Sequence, residues 1–576
     1  MNRFSPDRPI FAIVCILAVV SALVSGAIYP YYAMAFTIAV TLCLFLSMAG
    51  RAGYALGAVW PAWVLLGVTY ISSFWTVSLN LTFSQAFYLS AMVSFSYLAA
   101  FSVADDRKYT LLRLLAGAAA AVSVYGIYQY YAGFAHTEDY LKAYGASGLG
   151  LPNIGVSSAL LVLESRRAFS TMLSPNVLAC FLAMVFPAGL AVYGAARTAP
   201  GRLLAASALV LMLGAAILTK SVGGLIAFAA GVAVYITISL VLHGGSSAKG
   251  TFFWIAAAVI VVVFAGYFVA YERAGSGFLG VGSSFTDRLG YYTGSLEIIG
   301  GRPSLGSGAG SFQVEYFSTI KPGAGETRYA HNLPLQTMAE TGALGLLSLA
   351  VLFWVFFARC IRGIRGDEGM APVYAALASG GAAFLAHNMV DYTWYVHETA
   401  VVWWLYFGLA AAGDTRAVKF EKPMKAAAAA IALVFSVCYM KAGIAERYKD
   451  DALRVLGEAG IATASAARSG PVPGEAVRLA GMAAAVKPYD DNYRAFLANL
   501  YEGAAYNAGP MSARLAVEQY EEAIRLNPLY PYHYRDLGIL YMKFGDKEAA
   551  RRMFEEACRR YPAGRRLAGQ LREAEK

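Results

Sequence analysis

The stretches LLAASALVLMLGAAILT (residues 203–219) and VGGLIAFAAGVAVYITISLVL (residues 222–242) carry no charged side chain, and only Lys220 and Ser221 separate them. Each is about as long as the roughly 20 apolar residues a helix needs to cross a bilayer core. Working outward, the pattern recurs upstream near 10–29, 31–49, 56–76, 83–103, 110–132 and 173–194. Downstream it recurs near 252–270, 340–358, 371–391, 398–413 and 425–442. The expectation is an all-α polytopic membrane helix bundle of about 12–13 transmembrane helices. The first apolar run is too long for the core of a secretory signal and is read as a retained helix.

Composition agrees with that reading. Of 576 residues, 58% are hydrophobic and 14% charged, with a formal net charge of +10. Soluble domains carry roughly 25% charged residues. These figures exclude disorder, collagen and a disulfide scaffold. The basic excess reads as loop charge rather than a nucleic-acid footprint. The six cysteines are scattered, with no paired spacing of the zinc or redox type.

Charge divides the chain in two. After Gly443, 38 of 133 residues are charged, against 44 of the first 443. A membrane domain over 1–442 and a soluble domain over 443–576 are expected. The basic residues set orientation, because cytoplasmic loops are enriched in Lys and Arg. With the N-terminus inside, the even-numbered gaps hold Arg51; Arg107 and Lys108; Arg197 and Arg202; Lys249; Arg359, Arg362 and Arg365; and Arg416, Lys419 and Lys422. All six are basic. The long loops near 133–172 and 271–339, and the tail, then face the outside.

The tail carries a repeat. Pro528 and Pro562 are 34 residues apart, with Tyr534, Leu537, Gly538, Tyr541, Ala550, Phe554 and Ala557 between them. Ala516, Tyr520, Ala523 and Pro528 mark a preceding unit, with an apparent insertion around 505–511. The segment resembles tetratricopeptide repeats. Such arrays present a partner-binding surface, so a protein partner is expected there; the plainer role is to cap the membrane domain.

The loop 271–339 holds the motifs that carry chemistry. It contains Asp287-Arg288-Leu289 and then Pro303-Ser304-Leu305-Gly306-Ser307-Gly308-Ala309-Gly310-Ser311-Phe312. His331-Asn332-Leu333-Pro334-Leu335 follows, leading to Glu340-Thr341-Gly342. Upstream lie Arg167-Ala168-Phe169-Ser170-Thr171 and Ser174-Pro175-Asn176, and downstream His387-Asn388 with Asp391. On these motifs the chain resembles the O-antigen ligase and polymerase superfamily of bacterial membrane glycosyltransferases, over roughly residues 80–415.

The resemblance implies a fold of the GT-C type in the bacterial cytoplasmic membrane. It implies transfer of a glycan from undecaprenyl diphosphate to an acceptor hydroxyl on the outer face, where the acceptor is a glycan, a lipid or a protein. A histidine suits removal of the hydroxyl proton, since its pKa lies near working pH. This assigns His331 as base; its plainer reading is a loop residue capping the helix that follows. Arginine suits the leaving diphosphate, and Arg167 is assigned there, with an interfacial snorkelling arginine as the alternative. Relatives show Ser-Arg-Gly after the seventh span, where this chain has Lys220-Ser221-Val222-Gly223. Lys220 or Arg288 would then supply the second cation.

Arg302, Arg328 and Glu340 stand in supporting places. His387 and Asp391, four apart, are expected on one helix face. His397 is expected at the membrane interface. Tyr125, Tyr128, Tyr130 and Tyr131 read as an interfacial aromatic belt. The outer loops hold no Asp-x-Asp pair, so no metal and no other cofactor is expected. The spaced glycines 306, 308 and 310 lack the strand–helix setting of a nucleotide site. They are expected to form a tight turn that lets backbone approach a lipid headgroup.

Protein O-oligosaccharyl transfer is one alternative activity. A transporter or flippase of lipid-linked glycans is another, which predicts charges along a central path and internal repeats.

Overall fold

A computed structural model describes residues 7–24, 30–49, 59–136, 138–139, 165–172, 174–242, 279–321, 324–412, 422–461 and 463–574. The expected span near 252–270, most of the loop 133–172, and Arg51, Lys249, Arg416 and Lys419 lie outside these residues. The described residues are helical, with no strand among them.

Twelve expected spans fall on helices. By length and composition alone, the segments Asp105–His136, Pro175–Ala195, Ala199–Leu218, Val222–Val241 and Leu333–Gly366 suffice to cross a membrane. Arg8–Leu23 and Tyr31–Ser47 are shorter apolar helices. The helix Val222–Leu242 packs on Ala371–His387 and Pro175–Ala195, and His397–Ala411 packs on Leu79–Ser102.

The centre of the bundle is the His397–Ala411 helix, in which every residue is buried. Trp403 stacks with Phe384 at 5.3 Å and lies 4.5 Å from Phe353. Close approach comes from small residues such as Gly380 and Gly408, where a Cβ would lie 2.5 Å from Met184 O and 2.4 Å from Ser96 O, as expected where lipid provides no hydrophobic drive between helices. Hydroxyls inside the helices bond back to their own carbonyls; Ser90, Ser102 and Ser123 each donate four residues back at 2.7–2.8 Å. This satisfies a polar group in apolar surroundings. His397 is buried, with Ser21 at 3.4 Å and the rings of Tyr32 and Phe36 against it. It therefore belongs to the core, not to the interface expected from its place at a span end.

Two features, one in the long loop and one just after it, were not visible in composition. A helix, Leu279–Gly301, runs through the loop. The Leu333–Gly366 helix is also broken at Gly342, where φ is 64° and ψ −163°. The break is filled by the glycine-rich segment. Ser307 N donates to Ala339 O at 3.0 Å, Gly308 N to Glu340 O at 2.8 Å, and Ala343 N to Pro303 O at 2.9 Å. Groups freed by the break are thus paired with protein, the condition for irregular backbone inside an apolar bundle.

The spaced glycines serve this contact. A Cβ on Gly306 would lie 2.4 Å from the Glu340 carbonyl carbon, and one on Gly308 would lie 2.1 Å from Thr76 Oγ1. The close approach is to protein rather than to a lipid headgroup. The segments 303–311 and 340–342 form one tertiary unit.

After Gly443 the Lys422–Glu458 helix continues unbroken, so the expected boundary falls inside it. Consecutive helices follow. Asp491–Ala508 packs on Pro510–Leu526, and Pro531–Lys543 on Lys547–Arg560. The apparent insertion at 505–511 is a helix end and a turn through Gly509, whose φ is 80°. Gly538 gives room to the Phe554 ring, 2.8 Å from where a Cβ would sit. Arg468, itself buried, bridges Glu502 at 2.7 Å and Asp536 at 3.0 Å.

The tail rests on the loop. The Phe317 ring meets Tyr530, Tyr532 and Tyr561 at 5.7, 5.6 and 5.3 Å, and Tyr532 donates its hydroxyl to Glu326.

Candidate functional site

Asp391 is the junction of the site. The Ala371–His387 helix ends at His387, and Asp391 lies beyond it in a turn. The two therefore do not share a helix face as their spacing suggested. His387 is buried and bonds Thr393 Oγ1 through Nδ1 at 3.2 Å. Asp391, 4% exposed in its side chain, faces three other segments.

Its Oδ2 accepts from Asn176 Nδ2 at 2.8 Å and lies 3.8 Å from Arg288 Nη2. Its Oδ1 accepts from the Tyr392 amide at 2.8 Å and lies 3.8 Å from His331 Nδ1.

Asn176 extends the network. Its Oδ1 accepts from Arg167 Nη2 and from Ser221 Oγ, both at 2.8 Å. Arg167 also donates Nε to Thr219 O at 2.8 Å, and Ala168 N donates to Leu218 O at 3.0 Å. The segment that carries Arg167 therefore lies along the turn that carries Lys220. Lys220 Nζ stands over the Tyr130 ring at 5.4 Å. Of the four tyrosines expected as a belt, Tyr130 is the one under this cation, and Tyr125, Tyr128 and Tyr131 are exposed.

His331 is held by its own neighbourhood. Asn332 caps the helix that follows, accepting from Leu335 N at 3.0 Å, and donates Nδ2 to Met389 O at 2.9 Å. Leu333 N donates to Asn388 O at 2.8 Å. The two His-Asn motifs are thus neighbours, and Asn332 rather than His331 is the cap. The imidazole lies between Tyr291, stacked at 5.2 Å, and Tyr392, edge-on at 4.8 Å. Burial pushes its pKa below the ordinary value. Asp391 opposes that shift, and Arg288 adds to it. Burial thus favours the neutral ring, the form that accepts a proton.

Among the described residues, four non-glycine residues have positive φ: Arg166, Ser170, Lys220 and His331, at 47–54°. Two are site candidates, and Arg166 adjoins a third. Such conformations cost roughly 1–2 kcal/mol each and cluster where function holds them.

The remaining candidates divide. Glu340 is buried, accepting from Gln336 Nε2 at 2.6 Å beside the Phe312 amide at 3.4 Å. It braces the glycine segment and also lines a cavity with Arg328. Arg302 is half exposed and pairs with Glu315 at 3.4 Å, outside the Asp391 network. Asn176 and Ser221 were not foreseen as site residues. The signal was the Ser174-Pro175-Asn176 start of a span, where an amide at an apolar helix end needs a partner.

The architecture is that of an all-α integral membrane protein with a polar network around Asp391 among apolar helices. Residues 207–350, about a quarter of the chain, match the family model described as O-antigen ligase. That match supports the O-antigen ligase superfamily and a glycosyltransferase-like ligase activity for this chain. It covers Lys220, Arg288, Arg302, Arg328, His331 and Glu340, while Arg167, His387 and Asp391 fall outside it. No curated protein matches the chain.

Proposed function

We propose that the protein transfers a glycan from undecaprenyl diphosphate to an acceptor hydroxyl at the outer face of the bacterial cytoplasmic membrane. The observation that carries this reading is the convergence of His331 and Arg288 on Asp391, with Arg167 joined to the same carboxylate through Asn176.

The acceptor hydroxyl gives its proton to His331, at the ring nitrogen not facing Asp391. Its oxygen forms a bond to the anomeric carbon as the bond from that carbon to the diphosphate oxygen breaks. The bonding pair leaves with undecaprenyl diphosphate, and the anomeric centre inverts. Asp391 stabilises the imidazolium that results, as a buried carboxylate does for a histidine base. Arg167, with Lys220 or Arg288, carries the developing negative charge. These fixed cations do the work otherwise done by a divalent metal, so the reading is metal-independent.

Protein, purified in nanodiscs with a lipid-linked oligosaccharide, is tested against lipid A core, a second lipid-linked glycan and a pilin-like protein. Acceptor-dependent release of undecaprenyl diphosphate that survives chelator supports the reading, and the acceptor that works names the reaction. Release abolished by chelator would overturn the metal-independent mechanism, and absence of release with every acceptor would overturn the transferase reading.

A further inference from the structure

A second polar feature lies away from Asp391, in the cleft between the tail and the loop. A cavity of about 540 Å³ is bounded by the start of the Leu79–Ser102 helix, residues 313, 314, 317 and 326–328, and the tail residues 490–492, 527 and 530. Eleven of its fourteen lining residues carry a hydrogen-bonding side chain. It meets a second cavity of about 260 Å³, with which it shares Leu81, Ser84, Gln313 and Arg328. Tyr329, two residues before His331, is among the residues that line the second cavity. Tyr329 stacks on Tyr392 at 4.9 Å, and Tyr392 touches the His331 ring.

Two acceptors on the tail wall are unpaired. Asp491 and Asn527 are 2% and 3% exposed, and Asp491 Oδ1 and Asn527 Oδ1 have no hydrogen-bond partner. Buried acceptors are normally satisfied; these two lie beneath the cleft surface, and the polar side chains that line it set the chemistry of what it holds.

Each wall carboxylate has a partner within the protein. Asp491 Oδ2 lies 2.9 Å from His533 Nε2 and accepts from Asn527 Nδ2, Asp490 pairs with Lys487 at 2.8 Å, and Glu326 accepts from Tyr532. Arg328 is the basic side chain on the walls, against Glu326, Asp490 and Asp491. An anionic chain would meet three carboxylates. A protein segment would need apolar anchor pockets, and Leu81, Val314 and Phe317 are the only lining residues without a polar side-chain group. Hydroxyl groups both donate and accept, which fits a wall of amides, carboxylates and hydroxyls flanked by Tyr530.

We propose that this cleft holds an uncharged glycan chain, so that the tail forms part of a sugar-binding subsite leading toward His331. The inference rests on the glycan-transfer reading for its ligand class. The chain held is that of the acceptor or the distal part of the donor.

Binding is tested on full-length His331→Ala protein in nanodiscs, which separates it from turnover. The probes are dextran, mannan and chitin hexasaccharides, a hyaluronan hexasaccharide and an unfolded Ser/Thr-rich peptide. Ser84 and Asn492 are exposed in the cleft, so Ser84→Trp and Asn492→Trp fill it without entering the core. At least one uncharged hexasaccharide should bind, and each tryptophan should weaken it at least tenfold with an unchanged melting temperature. Failure of all three uncharged sugars, insensitivity to both tryptophans, or tighter binding of hyaluronan or peptide would overturn the proposal.

In the His331 background, Ser84→Trp should raise KM for the acceptor or for the donor, and the substrate affected identifies the chain held. Transfer with both KM values unchanged would sink the subsite and spare the transferase. Sugar binding without any transfer would do the reverse.

Discussion

Asn176 donates its side-chain amide to Asp391 across 2.8 Å, joining the start of one buried helix to a turn 215 residues further along the chain. Through this bond Arg167 and Ser221, on one side, share a carboxylate with His331 and Arg288 on the other. The charges and the base of the proposed reaction thus depend on one pair.

Asn176→Ala removes a hydrogen bond to a charged group, worth about 1.5–3 kcal/mol. Transfer should fall by roughly ten- to a hundredfold at saturating donor. Initial rates and melting temperature, measured together, separate this loss from unfolding.

The pH dependence should move in opposite directions for two variants. Only neutral His331 accepts a proton, so activity is lost as pH falls through its pKa, which lies below 6.5. Asp391 raises that pKa, so Asp391→Asn should shift the acid limb to lower pH while reducing the rate. Arg288 lowers it, so Arg288→Gln should shift the limb to higher pH. Profiles of kcat against pH check both signs; equal shifts would remove His331 as the titrating group.

The apolar helices were legible because each span repeats one simple requirement, about twenty residues without charge. The His331 and Arg167 motifs were legible through resemblance. The junction at Asp391 is not legible in sequence, because its partners come from positions 176, 288 and 331 and only the folded chain joins them. Its pairing with His387 was misread because the helix stops at His387. The use of Gly306 and Gly308 was equally hidden, since it depends on Glu340 and Thr76 at close range.

Gly342→Ala tests that packing. A Cβ there would lie 2.2 Å from the Ser304 carbonyl oxygen at a φ of 64°. Left-handed strain and overpacking together should cost about 2–4 kcal/mol. Gly300, helical with nothing within 4 Å of its Cβ position, should instead gain roughly 0.5–1 kcal/mol as Gly300→Ala. Thermal unfolding of the two variants in one detergent makes the comparison.

Arg167→Lys keeps the charge and loses the fork that spans Thr219 O and Asn176 Oδ1. Donor KM should rise about tenfold or more. Arg302→Ala, which breaks an exposed pair, should change the rate by no more than about twofold.

The most direct test of the account is single-turnover release of undecaprenyl diphosphate by His331→Ala beside the parent protein, with both shown to be folded and monodisperse. The account predicts a loss of about 10²–10⁴-fold in the variant. Release at the parent rate from the folded variant would contradict His331 as the base.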